Sequence, residues 1–172
     1  MITAVADSGP FIHLAIVNEV VLLPRYFQPL LIPPEIYNEV VTQGTGRAGA
    51  PELKAACEHG RVRQRELGDR RLMEQLRHLP ADMSDVSDVD VMVLALAMEQ
   101  HAIVLSDDGS LRLLALAHGV PVIGSIGILV WARLDGLILA LKPLLDQLIA
   151  AGFHLNPRGR VYHDALRRVG EL

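Results

Sequence analysis

Carboxylate side chains stand beside apolar segments at four separate places in this sequence of 172 residues. Carboxylates that crowd together repel one another, and burial raises their pKa values, so such a group requires a cation. Lys and Arg are absent from the four immediate segments, and a hard divalent ion such as Mg²⁺ or Mn²⁺ matches oxygen ligands. Two such ions can activate water and stabilise the leaving oxygen of a phosphodiester. The carboxylates are Asp7, Glu35 and Glu39, Asp88 and Asp90, and Asp107 and Asp108.

The elements around these carboxylates alternate between short strands and helices. Residues 2–6 and 102–106 are continuous apolar runs, which is typical of buried parallel strands. Shorter strands are predicted at 30–32, 61–67 and 120–123. Helices are predicted at 11–17, 19–27, 35–43, 51–59, 69–78, 88–100 and 110–118, and through most of the chain after residue 123. The alternation predicts an α/β fold, a three-layer doubly wound parallel sheet with helices on both faces. One domain is expected over residues 1–172, with a C-terminal helical extension from about residue 140.

This architecture brings the carboxylates together. In open parallel sheets, ligands bind beyond the carboxyl ends of the strands, and the helix N-termini lie at the same edge. Asp7 directly follows the first strand, and Asp107 and Asp108 directly follow the strand at 102–106. Asp88 and Asp90 open a helix that is apolar nearly all round, and Glu39 lies in the first half of another. We therefore expect four segments to deliver carboxylates to one edge of the sheet.

The composition excludes several classes of protein. A net charge of −4, from 16 Lys and Arg against 20 Asp and Glu, excludes a generally basic protein that coats itself with nucleic acid. A hydrophobic content of 51% excludes intrinsic disorder. The single cysteine, Cys57, excludes an intramolecular disulfide and a cysteine-cluster metal site. We expect a cytoplasmic protein, because the chain has no recognisable targeting or membrane-spanning segment.

Four ordered blocks of the sequence resemble those of PIN-domain proteins. The resemblance covers about residues 2–170 and is closest to a bacterial and archaeal PIN-like branch related to VapC-type toxins. It implies an endoribonuclease that uses Mg²⁺ or Mn²⁺ to cleave RNA, the toxin of a pair in which an antitoxin protein holds it. The blocks are VADSGPFIHLA, PPEIYNEVV, DVDVMVLALAMEQHAIVLSDD and GVPVIGSIGIL.

The resemblance also implies which carboxylates hold the metal and act in catalysis. Asp7 is the first acid, with Ser8 beside it as a positioning residue, and Glu39 is the second. The third stands at the start of the buried helix. Asp90 fits the pattern in which an acid precedes an Ile-x-x-Ala-type helix, whereas Asp88 fits a branch that opens this helix with Gly-Glu. Since residues two apart on a helix face different ways, we expect one of the two to point fully at the metal, and we favour Asp90.

The fourth acid is Asp107 or Asp108. Asp108 fits the VapC-like spacing after Ser106, a second positioning residue, whereas Asp107 lies nearer the end of the strand. The sequence Asp107-Asp108-Gly109 is also an ordinary turn sequence, so one of the two aspartates is expected to serve the turn. The seven histidines are dispersed, and surface or helix-end roles are expected for them.

Two arginine-rich stretches are candidates for phosphate contact, because arginine binds phosphate through paired hydrogen bonds. The first is interleaved with acidic residues and is interpreted as a solvated face. The second is opposed only by Asp164, and its Arg158 and Arg160 are the predicted nucleic-acid contacts. It is also a candidate surface for an antitoxin or a second copy of the chain. The first stretch is Arg61, Arg63, Arg65, Arg70, Arg71 and Arg77, and the second is Arg158, Arg160, Arg167 and Arg168.

Two further expectations concern association and an alternative function. The surplus of Leu, Ile and Val between residues 126 and 148 predicts an interface, and a homodimer is the commonest arrangement. The alternative function is a non-catalytic PIN-like module that binds RNA or a protein. It is suggested by Ser87-Asp88, where the related branch has Gly-Glu.

Overall fold

A computed structural model describes residues 1–76 and 85–172 of the chain. In this part of the chain, five strands form one sheet in the order β3-β2-β1-β4-β5, and every pairing is parallel. The predicted α/β class is therefore confirmed. The strands are β1 (Ile2–Ala6), β2 (Phe27–Ile32), β3 (Arg63–Gln64), β4 (Ile103–Leu105) and β5 (Val122–Ile123).

Helices connect the strands, as parallel pairing requires. A π-helical segment, Asn38–Gln43, continues α3 directly. Within the described residues the helices are α1 (Ser8–Ile16), α2 (Leu22–Tyr26), α3 (Pro34–Tyr37), α4 (Ala50–Glu58), α5 (Arg70–Leu76), α6 (Asp88–Glu99), α7 (Gly109–Ala117), α8 (Ser125–Leu134), α9 (Lys142–Ala150) and α10 (Arg160–Arg168).

Several predicted elements are shorter in the structure than in the sequence-based prediction, and the helix at 19–27 and the strand at 61–67 are the main examples. The helix predicted at 19–27 covers only α2, because the fully buried Phe27 already begins β2. The strand predicted at 61–67 pairs only at β3, where it contacts Leu31 and Ile32 at one edge of the sheet. Arg77, and with it the end of the helix predicted at 69–78, lies outside the described residues.

The sheet has a topological switch point between β1 and β4. From β1 the chain builds outward through β2 to β3, and it then returns to the other side of β1 to form β4 and β5. Right-handed crossovers in opposite directions place helices on opposite faces of such a sheet. Ala6 pairs with Leu105 at the carboxyl ends of the two central strands, so the crevice where ligands bind in this architecture opens directly beyond them.

The core is mainly aliphatic, as the aromatic content of 4% predicts. Helix α6 buries Leu94 and Leu96 completely, and Leu105 of β4 is equally inaccessible. A buried α6 fixes the position of its own N-terminus at the edge where β1 and β4 end. None of the helices in the described ranges combines the length and apolarity needed to cross a bilayer.

Candidate active site

Asp7 lies at the switch point, between the end of β1 and the first turn of α1. Its backbone N–H donates to the Leu105 carbonyl at 2.9 Å, which fixes the end of β1 against β4. Its side chain is only 9% exposed. Oδ1 accepts the backbone N–H of Ser8 at 2.6 Å, and Oδ2 accepts the buried hydroxyl of Ser106 at 2.9 Å. Asp7 therefore caps α1 and also binds across to the residue that follows β4.

The electrostatic environment of Asp7 favours the protonated form. Burial raises the pKa of this carboxyl to about 6. The hydrogen bonds from Ser8 and Ser106 lower its pKa, whereas the negative charges of Asp90 and Glu39 raise it. At neutral pH the ionised form of Asp7 still predominates, but it is less favourable than in water, and a bound cation would stabilise it.

A pocket of about 400 Å³ opens above Asp7 at this edge of the sheet. Carboxylates from four segments line it, together with two histidines, and no Lys or Arg is among the described residues that line it. The expected convergence of four acidic segments is thus present in the structure. Asp88 and Glu35 lie outside this lining. In the described part of the chain, the carboxylates that line it are Asp7, Glu39, Asp90, Asp107 and Asp108.

Asp90 faces the pocket from the first turn of α6. Ser87 caps the helix: its hydroxyl accepts the Asp90 N–H at 3.1 Å, and its own N–H and hydroxyl both donate to Asp90 Oδ2 at 2.7 Å. This reciprocal arrangement is a capping box, which stabilises the start of a helix. It occupies one carboxylate oxygen of Asp90, so the side chain serves the helix and faces the pocket at once.

Glu39 approaches the pocket from the π-helical segment after α3. It lies in the first turn of that segment and is exposed to solvent. π-helical turns are rare and recur at functional sites. The charge of Glu39 acts on Asp7, so the two carboxylates sense each other across the pocket.

The two adjacent aspartates after β4 have different environments. The backbone N–H of Asp108 donates to Ser106 Oγ at 3.0 Å, and its Oδ1 accepts the Leu111 N–H at 2.9 Å as the cap of α7. Ser106 is thus the junction between Asp7 and Asp108: its hydroxyl donates to the first and accepts from the second.

Asp107 contacts residues of α8 and α1, whereas Asp108 contacts α7. Ser125, the first residue of α8, donates its N–H to Oδ1 at 2.7 Å and its hydroxyl to Oδ2 at 2.5 Å. The His13 Nδ1 atom lies 2.7 Å from the same Oδ2. A Cβ atom at Gly124 would lie 2.5 Å from Asp107 Oδ1, so this glycine allows the carboxylate to reach the start of α8.

Sequence reasoning missed His13, for which it predicted a surface or helix-end role. Its ring lines the pocket, contacts Asp107 and packs edge-on against Phe153 with centroids 4.6 Å apart. The available signal was helical spacing. Gly9 and His13 are four residues apart on α1, which Asp7 caps, so both face the site. Phe153 and His154 come from the loop after α9. Their sequence surroundings contain no comparable signal.

The serines predicted as positioning residues lie at the pocket, whereas the arginines predicted as nucleic-acid contacts lie outside it. Ser8 and Ser106 both contact the carboxylate of Asp7, although the Ser8 hydroxyl is 3.4 Å away and contributes weakly. Arg158 is exposed and lies outside the pocket lining. Arg160 lines a neighbouring groove instead.

The chemistry of the donor set suits a hard divalent cation. Mg²⁺ is commonly bound through one or two carboxylates, with water and substrate phosphate completing its shell. Among residues 1–76 and 85–172, no three His, Cys, Asp or Glu side chains are placed closely enough to form one metal-binding group. The carboxylates are therefore spaced around the pocket and do not form one closed cage of protein ligands.

The parallel sheet and the acidic pocket at its switch point define an α/β protein with a candidate ligand site at the edge of the sheet. The sequence model of the PIN-domain family matches residues 3–171, nearly the whole chain. The chain belongs to the PIN-domain family, whose members are in general nucleases and usually use divalent metal ions. No curated protein matches the chain.

Proposed function

We propose that this PIN-domain protein is a Mg²⁺- or Mn²⁺-dependent endoribonuclease of the cytoplasm. One observation carries the proposal: a buried Asp7, with its pKa raised to about 6, shares a pocket with Glu39, Asp90 and Asp108. A carboxylate group of this kind is costly to maintain unless it binds a cation.

Each side chain has a distinct part in this mechanism. Asp7, Asp90 and Asp108 would hold the cation, directly or through its water shell, and Glu39 would add negative charge from the exposed side of the pocket. The chemistry that a bound cation would supply is activation of water and stabilisation of the leaving oxygen of a phosphodiester. Ser106 orients Asp7 by donating to its Oδ2 and fixes the Asp108 backbone by accepting its N–H.

The experiment compares metal binding with RNA cleavage in matched variants. Wild-type protein stripped of metal should gain thermal stability on addition of Mn²⁺, because the ion binds the folded state alone. It should cleave single-stranded RNA with Mn²⁺ and not in EDTA. Glu39→Gln should weaken both effects, whereas Glu35→Gln, which removes a charge outside the pocket lining, should leave them unchanged. A wild-type protein that neither binds Mn²⁺ nor cleaves RNA contradicts the proposal.

A second candidate is a non-catalytic module that binds RNA or a protein. The absence of a three-residue metal group among the described residues favours it, as does the shorter Asp88 in place of glutamate. This candidate predicts RNA binding that is equal in EDTA and in Mn²⁺, with no cleavage in either.

The association partners proposed are an antitoxin protein, as for VapC-type toxins, and a second copy of the chain. Three large apolar side chains are exposed on or just after α8 and before α2: Leu134 at 61%, Leu139 at 97% and Val21 at 59%. Exposed apolar side chains mark a protein interface when they form a contiguous patch, so these three positions are candidates for the proposed interface. Light scattering at micromolar concentration tests the dimer, and co-purification with the product of an adjacent small gene tests the antitoxin.

A further inference from the structure

A second and larger concavity adjoins the acidic pocket. It is an open groove of about 800 Å³ between α8, the loop after α9, and α10, which packs against α8. Asp107, Phe153 and His154 line both the groove and the pocket. The groove and the pocket are therefore neighbours that meet at these three side chains.

The described lining of the groove carries three arginines against two aspartates, a net charge of +1 in a protein that is acidic as a whole. The arginines are Arg112, Arg160 and Arg168. Ser125 and His13 contact Asp107, and Asp164 forms ion pairs with Arg160 at 3.3 Å and Arg167 at 2.8 Å, so Asp164 offsets part of the charge of Arg160.

Two of the arginines, Arg160 and Arg168, lie at the two ends of α10. The guanidinium of Arg112 donates to the Ser106 carbonyl at 3.0 Å, which anchors this cation beside the acidic pocket. Arg160 and Arg168 extend the charge along the exposed side of α10. The acidic pocket, whose described lining contains no Lys or Arg, repels a polyanion when no metal is present, so the groove is the part of this surface that attracts one.

Aromatic rings accompany these charges. Trp131 lines the groove and is 36% exposed, with its ring edge-on to Tyr26 at 5.8 Å. Phe153 lines the groove where it joins the pocket. Arginines that track a backbone, combined with rings on which bases stack, are the features by which proteins bind single-stranded nucleic acid.

We infer that this groove binds the single-stranded RNA substrate on one side of the acidic pocket, through Arg160 and Arg168 at the phosphates and Trp131 at a base. The identity of the polymer as RNA rests on the proposed function. The assignment of the groove as a binding surface rests on the positions of its arginines and aromatic rings. Binding in the groove requires no metal.

The test measures RNA binding in EDTA, where cleavage cannot occur. Trp131 is the chain's only tryptophan, so its fluorescence reports on the groove alone. Titration with an unlabelled oligouridylate should quench this fluorescence to saturation. The double variant Arg160→Gln/Arg168→Gln should bind the same RNA about tenfold more weakly, and the slope of log Kd against log salt should fall by roughly 1 to 1.5.

The matched control is Arg61→Gln/Arg63→Gln, which removes the same charge from exposed positions at the opposite edge of the sheet, around β3. It should bind and quench like the wild type. Equal affinity in the two double variants overturns the inference, and so does RNA binding without a change in Trp131 fluorescence. Loss of self-association in the Arg160/Arg168 variant, with RNA affinity intact, identifies a protein interface instead.

Failure of this inference differs from failure of the proposed function. If the wild type cleaves RNA only with metal and the Arg160/Arg168 variant cleaves it equally well, the nuclease proposal stands and the groove inference is wrong. If RNA quenches the Trp131 fluorescence in a way that depends on Arg160 and Arg168, but the protein does not cleave RNA, the groove inference stands and the nuclease proposal is wrong.

Discussion

The Nδ1 atom of His13 lies 2.7 Å from Oδ2 of Asp107, a residue 94 positions later in the chain. With Ser125 donating to both carboxylate oxygens, this contact joins α1, the end of β4 and the start of α8 around one side chain. Asp107 is therefore engaged through both carboxylate oxygens, whereas Asp108 caps α7 through Oδ1. On this basis we propose Asp108 rather than Asp107 as the metal ligand.

Substitution of the two aspartates should separate these roles. Asp107→Ala removes the acceptor for Ser125 and the partner of His13, so the free energy of unfolding should fall by about 2–4 kcal/mol. Asp108→Asn keeps an N-cap and should cost less than about 0.5 kcal/mol, while the stabilisation by Mn²⁺ should shrink. Urea denaturation in chelator and thermal shifts with Mn²⁺ measure the two effects. An Asp108→Asn protein with the full Mn²⁺ shift contradicts this assignment.

Asp7 should make stability depend on pH in the absence of metal. Burial raises the pKa of Asp7 from 3.8 to about 6, so the folded state binds this proton more tightly than the unfolded state does. The free energy of unfolding contributed by Asp7 should therefore fall as pH rises from about 4 to 6 and stay lower above that range, by about 3 kcal/mol in all.

Asp7→Asn removes this titration. The variant should lack the Asp7 component of the decline between pH 4 and 6, and in chelator at pH 7 it should be at least as stable as the wild type. The gain should be about 1 kcal/mol rather than the full titration effect of about 3 kcal/mol. The reason is that the amide has one acceptor oxygen where the carboxylate has two, so one hydrogen bond from Ser8 or Ser106 is lost. It should gain less stability from Mn²⁺ and should not cleave RNA. If Asp7→Asn unfolds the protein in chelator, Asp7 is chiefly a turn residue.

The fold and the convergence of the acids were predictable because both follow from chain-local patterns. Continuous apolar strands alternating with helices predict a parallel sheet, and an acid placed directly after a buried strand must lie at the edge where such strands end. Asp7 and Asp108 were found in this way. Glu39 was preferred over Glu35 only through the family resemblance, and the structure places Glu39, not Glu35, in the pocket lining.

The roles of Asp107 and His13 were not predictable, because each depends on a partner distant in sequence. A turn sequence such as Asp107-Asp108-Gly109 does not reveal which aspartate faces Ser125 across the crevice. The groove was not predictable for the same reason. Trp131 and Arg168 line one groove only because α8 and α10 pack against each other.

Ser106 should matter far more than Ser8, although both hydroxyls face Asp7. Ser106 is fully buried, donates to Asp7 at 2.9 Å and accepts from the Asp108 N–H. Ser106→Ala leaves that N–H without its acceptor and should cost about 1–3 kcal/mol of unfolding free energy. It should also raise the pKa of Asp7 further, which moves the pH-dependent decline upward. Ser8→Ala, the matched control, removes a contact of 3.4 Å and should change stability by under about 0.5 kcal/mol. Equal losses in the two variants, measured by urea denaturation, would falsify this assignment.

Gly124 should be sensitive to the smallest possible substitution. A Cβ atom there would lie 2.5 Å from Asp107 Oδ1 and 3.1 Å from the Ser106 carbonyl oxygen, so Gly124→Ala must displace the Asp107 carboxylate from the start of α8. We expect a loss of about 1–3 kcal/mol in unfolding free energy. Gly109→Ala is the control, because nothing lies within 4 Å of a Cβ atom at that position.

The double variant Gly124→Ala/Asp107→Ala identifies the origin of the loss. With the carboxylate gone, the added methyl group has lost its closest obstacle, so the penalty of Gly124→Ala should shrink to well below its value in the wild-type background. A double-mutant cycle by urea denaturation measures this coupling. Additive losses would show that Gly124 is required by Arg112 Nη1, 3.0 Å from the Cβ position, and by the Ser106 carbonyl oxygen at 3.1 Å rather than by Asp107. The glycine would then report on the packing around the end of β4 instead of on the acidic site.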